Sequence, residues 1–210
     1  MPLHVLPAPA PALRSVQTAL HSPTATQDVR TPALRSHDTP PACELPLPVH
    51  VLTGISRPGP LRTRLTGWRF MLRAQERTVA AAEAMLTADG WTFSHFCEGP
   101  YVASTERALH QAALVRGDYR PRLLSVPELY MLTLWLRRQE PQAPDGDPGA
   151  GAAAGVWDEA AGTLPAPADL LVPLAPAPPG IVAHRPHRVG DLLPRLTRRL
   201  APAPLLSGRA

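Results

Sequence analysis

Between residues 61 and 140 the apolar residues recur with spacings that predict discrete elements. Trp68, Phe70 and Leu72 share one face of an extended segment. Arg69 and Arg73 lie on the other, with Met71 between them, the period-two pattern of a half-buried strand over 68–73. Ala74-Gln75-Glu76-Arg77 reads as a turn. Residues 78–86 are alanine-rich, which suits a helix, but so short a turn suits a returning strand, and the strand is adopted. Asp89-Gly90 is a hairpin signal. Alternation over 91–97 then places Trp91, Phe93, His95 and Cys97 on one face.

After Gly99-Pro100, the spacing of Val102, Leu109, Ala112 and Ala113 predicts a helix over 101–115, with Ser104 and Thr105 as candidate caps. A short apolar run at 121–126 reads as a strand. Residues 128–137 are apolar on every side, and Ser125-x-x-Glu128 fits a capping box. Helix and strand both remain open there; a strand over 129–137 is adopted. Asp169 to Leu174 reads as an edge strand, because an interior strand does not tolerate Pro173. Val189 to Leu200 has helical amphipathicity, with Leu192, Leu193, Leu196 and Leu200 inward and Arg195, Arg198 and Arg199 outward. Pro194 interrupts that helix unless it starts nearby.

Proline and aromatic residues divide the chain into zones. Residues 1–60 hold 12 of the 28 prolines and no aromatic ring, whereas 61–140 hold 3 prolines and 9 of the 10 Phe, Trp and Tyr. Dense proline opposes helix and sheet, and aromatic side chains anchor cores. The expected organisation is a disordered Pro/Ala-rich arm over 1–60, a single α+β domain over 61–200 and a tail over 201–210. A Pro-, Gly- and Ala-rich loop over 139–168 is expected to be a disordered insertion. The expected fold class is α+β: a small, mainly antiparallel sheet with one or two helices packed on one face, behind a long disordered N-terminal arm.

Composition narrows the chemistry. All 21 basic residues are Arg, and the chain contains neither Lys nor Asn and only two Ile, a bias expected of a high-GC, bacterial coding sequence. Without Lys there is no Schiff-base lysine and no P-loop lysine. No CxxC is present, so the zinc-ribbon and thioredoxin patterns are absent. Cys43 and Cys97 lie far apart, and a reducing cytoplasm is the expected setting. No apolar run has the length of a membrane span, and no membrane partner is expected.

Ser94-His95-Phe96-Cys97-Glu98 holds the densest set of reactive side chains, and a His/Cys/Glu hydrolase or transferase would use His95, Cys97 and Glu98. Against this, a strand cysteine is ordinarily a small core hydrophobe, and no hydrolase signature surrounds Cys97. Candidate metal ligands by type are His95, Cys97 and His110, or His184 with His187, but Pro186 removes the helix that would align the last two. No cofactor or metal is expected.

The segment from His184 to Arg199 carries five Arg against one Asp. Arg185, Arg188, Arg195, Arg198 and Arg199 form a candidate patch for nucleic acid or another anion. In a chain without Lys, the same residues also serve as an ordinary solvated face. With no catalytic constellation standing out, the expected function is a non-enzymatic binding or accessory module whose partner is another protein. The enzyme is the first alternative and Arg-mediated nucleic-acid binding the second.

Overall fold

The computed structural model describes residues 3–37, 39–55, 60–139 and 164–200. Three helices come first: α1 (Ala10–Leu20), α2 (Pro23–Thr26) and α3 (Pro32–Arg35). Four strands follow, β1 (Ala42–Thr53), β2 (Arg62–Ala74), β3 (Arg77–Thr87) and β4 (Gly90–Cys97), then helix α4 (Pro100–Ala112). The second half repeats this order with β5 (Tyr119–Val126), β6 (Met131–Arg138), β7 (Leu170–Pro173), β8 (His187–Arg188) and helix α5 (Val189–Leu200).

All eight strands join one mixed sheet in the order β4-β3-β2-β1-β5-β6-β7-β8. Each half is an antiparallel meander, and the two meet at the parallel pair β1–β5, held by Val49 opposite Leu123, His50 opposite Leu124 and Val51 opposite Ser125. Alternation along the strands sends side chains to two covered faces. On one face α4 packs on Leu47, Val49, Leu123 and Leu134. On the other, α1 covers Trp68, Phe70, Leu72 and Phe96, and α5 covers Leu124, Trp135 and Leu171.

This corrects the expected fold class. The sheet is large rather than small, helices lie on both of its faces, and the described part of the N-terminal 60 residues supplies three helices and a central strand instead of a disordered arm. The prolines misled because of where they fall. Pro9 is the N-cap of α1 and Pro11 is in its first turn, where a missing N–H breaks no helical bond. Pro46 sits in an irregularity of the β1–β2 register between Glu44 and Leu47. Pro48 precedes the β5 ladder, which begins at Val49. In that part of β1 only one side carries a ladder, so the strand tolerates both rings.

Four local expectations also change. Ser104 and Thr105 are not caps, since α4 starts at Pro100 behind Gly99 and both side chains are buried inside the helix. A bulge at Ser94 (Glu83 pairs with His95, and Ala84 with Phe93) breaks the alternation of β4, so Phe93 and Phe96 share the α1 face while His95 and Cys97 take the other. β7 is not an edge, since β8 pairs outside it at Leu170 and Leu171; Pro173 lies beyond that short ladder. Finally, α5 runs through Pro194. Most of the expected insertion loop, residues 140–163, and the tail over 201–210 lie outside the described residues.

The turn between β2 and β3 places both Gln75 and Glu76 at positive φ (54° and 77°), as a tight hairpin requires. At the β6–β7 end, Asp169 is 2% exposed and accepts three hydrogen bonds. They come from the Trp135 indole N–H at 2.8 Å and from the backbone N–H groups of Arg138 and Ala166 at 2.9 and 2.8 Å. The Trp135 ring is packed edge-on by His50 and faced by the Arg122 guanidinium, each 5.3 Å away between centres.

Candidate functional site

The chain leaving β7 must cross the end of α4 before it reaches β8 and α5. Ser104, on α4, fixes that crossing. Its Oγ accepts the Ala175 N–H at 2.7 Å, which leaves the single hydroxyl hydrogen for His184 Nε2, 2.6 Å away. His184 sits at φ 61° and donates its own N–H to the Pro173 carbonyl at 2.8 Å. Burial, and secondly the nearby Arg107 charge, push the His184 pKa below the ordinary histidine value, which favours the neutral ring as acceptor.

Beyond this anchor, β8 and the first two turns of α5 form an open cavity of about 380 Å³, lined by Arg185, Arg188 and Arg195 with Leu170, Pro186, His187 and Asp191. The local sequence accounts for it. Arg185 precedes β8, Arg188 is its last residue, and Arg195 lies one helical turn beyond Asp191, so three guanidiniums surround one volume. None of the three takes part in an ion pair among the described residues, in contrast to Arg30 with Asp28, Arg69 with Glu83 and Arg73 with Glu44. His187 lowers its pKa through burial first and through Arg195 and Arg185 second, with Asp191 opposing. Its Nε2 is buried without a hydrogen-bond partner.

The structure thus brings together three members of the predicted arginine patch and separates two. Arg199 reaches back toward Gly180, where an added Cβ would meet its guanidinium at 2.7 Å. Arg198 is exposed outside the cavity. His187 was missed as a member of the anion patch, although its place between Arg185 and Arg188 was the available signal. The Ser104–His184 contact had no signal at all, because 80 residues separate the two.

His95, Cys97 and Glu98 take no part in the arginine-lined cavity and are each engaged differently. His95 is exposed, with its Nδ1 3.0 Å from the Ser94 hydroxyl. Burial pushes the Cys97 thiol up, away from the thiolate, with a smaller opposing effect of Arg69. Glu98 accepts from the backbone N–H groups of Ala33 and Leu34 at 3.1 and 2.7 Å, so its carboxylate caps α3. Among the described residues no three His, Cys, Asp or Glu side chains gather closely enough to hold a metal ion. No helix there is long and apolar enough to cross a membrane. Comparison with known proteins finds no matching family model, no similar curated protein and no similar solved structure.

Proposed function

We propose that this chain is a non-enzymatic binding module that captures an acidic segment of another protein at the Arg185–Arg188–Arg195 cavity. The observation that carries this reading is the convergence of three guanidiniums, none ion-paired to a described residue, on one open volume. Guanidinium forks match carboxylate and phosphate oxygens in pairs. The cavity is compact and includes no Phe, Tyr or Trp. It therefore suits a clustered anion better than a nucleic-acid strand, which such proteins hold along a groove with aromatic stacking platforms.

Nucleic-acid binding is the second reading, favoured by Arg198 and Arg199, which extend positive charge along α5 beyond the cavity. A hydrolase or transferase using His95, Cys97 and Glu98 has no comparable support, given a thiol disfavoured as thiolate and a carboxylate engaged by α3.

Calorimetric titration with a glutamate-rich peptide, beside single-stranded and duplex DNA of equal charge, tests the assignment. The expected result is saturable peptide binding, at least tenfold weaker in Arg195→Ala and unchanged in His95→Ala and Cys97→Ala. Binding of DNA alone, with a steep dependence on salt, favours the second reading. No binding of either probe overturns both.

A further inference from the structure

We propose that β4 is a self-association edge, at which a second copy of this chain adds its own β4 in antiparallel register and extends the sheet across both copies. The two ends of the sheet are unlike. β8 ends it with only His187 and Arg188, next to Arg185, the short, charged form that blunts an edge. β4 ends it with eight residues, Gly-Trp-Thr-Phe-Ser-His-Phe-Cys, and no Arg, Asp or Glu. Among the described residues, no backbone group from Trp91 to Cys97 bonds outside the β3–β4 ladder. Thr92, Ser94 and His95 are exposed there.

The side chains select the occupant and the register. Trp91 and Phe93 are only half-buried at the margin of the α1 cluster. On neighbouring β3, Met85 and Leu86 are 44% and 55% exposed. A two-fold axis through Thr92 sets Trp91 opposite Phe93 of the partner subunit and Thr92 opposite Thr92 of the partner subunit. Aromatic and Thr–Thr pairs are among the cross-strand pairs that stabilise antiparallel ladders. The same register sets Ser94, the bulged residue, opposite Gly90, whose missing side chain leaves open space. It also brings Asp89 of one copy toward His95 of the other, a carboxylate acceptor facing a ring N–H donor. Because β4 carries no formal charge, its own copy meets it without the like-charge repulsion that most other strands here would impose.

Analytical ultracentrifugation over a concentration series tests the proposal on the full chain. The expected result is a reversible dimer that is lost in Thr92→Arg, where two like charges face each other at the axis, while circular dichroism and thermal unfolding show the variant folded. Thr92→Cys supplies the second readout. Directly opposed strand residues lie within disulfide reach, so mild oxidation is expected to cross-link this variant quantitatively and Ser94→Cys poorly. A monomer at every concentration, a dimer that survives Thr92→Arg, or equal cross-linking of the two cysteine variants overturns the proposal.

Discussion

Asp169 and Trp135 face each other across the β6–β7 ladder, and the 2.8 Å bond from the indole N–H to the carboxylate ties the residue ahead of β7 to the middle of β6. The same carboxylate holds the N–H groups of Arg138, the last residue of β6, and Ala166, ahead of β7. Replacing it strands the buried Trp135 indole N–H, at about 1–3 kcal/mol, and two partly buried backbone N–H groups at a smaller cost each. Asp169→Ala is therefore expected to lower the unfolding free energy by about 3–5 kcal/mol in urea titrations. A loss under about 1 kcal/mol would show that the donors find other partners.

Ser104→Ala removes the group that receives Ala175 and donates to His184. The expected stability loss is about 1–2 kcal/mol. Because His184 immediately precedes Arg185, the variant is also expected to weaken binding of an acidic peptide several-fold without touching it. Calorimetry on the folded variant reads the affinity, and denaturant titration reads the stability. Ser104→Thr is expected to restore most of both if its extra methyl fits.

His184 and His187 both have pKa values lowered by folding. For such groups the folded state prefers the neutral ring, so their contribution to stability is fully present above the ordinary histidine pKa of 6.5. It is lost as pH falls below that value toward the lower folded one. The melting temperature is thus expected to decline as pH drops from 7 through the 6.5 region, and His187→Gln to flatten the decline. Bound anion reverses the preference at His187 by favouring its charged form. Peptide affinity is expected to rise over the same pH interval, whereas a pH-independent affinity would place the anion away from His187.

Gly67→Ala tests the packing of β2 on β3. An added Cβ would lie 2.4 Å from the Ala84 carbonyl oxygen and near the Met85 backbone, so no side-chain motion relieves it. The strands must separate, at an expected cost of about 2–4 kcal/mol. A melting temperature within one or two degrees of the parent would show that the ladder shifts freely.

Much of this architecture is legible wherever apolar spacing alone decides the element. Trp68, Phe70 and Leu72 announce β2, and Leu192 and Leu196 announce the buried stripe of α5. What stayed hidden depends on position rather than on residue type. Pro9 and Pro11 read as breakers until the helix start is located, and Pro46 and Pro48 do so until the one-sided ladder of β1 is known. Missing that central strand made the sheet look small. The bulge at Ser94 put Phe93 and His95 on opposite faces, and nothing in a period-two pattern marks an inserted residue. Three of the patch arginines were legible as charge, but their convergence required the Ser104–His184 anchor, a contact between residues without any shared spacing.

The parallel seam between β1 and β5 sets an order in time. Every other strand pairing is antiparallel, and the β2–β3, β3–β4 and β5–β6 hairpins close over a few residues, events of microseconds. The seam instead joins Val49 to Leu123 over only three residue pairs. It spends the entropy of closing a long loop before it gains much contact. The chain is accordingly expected to fold as two meanders that form first and dock afterward, an order that pulsed amide-exchange labelling during refolding checks. Until docking, each meander carries a bare inner edge, β1 in one and β5 in the other. That interval, more than any moment in the finished structure, is when the chain is exposed to pairing with the wrong neighbour.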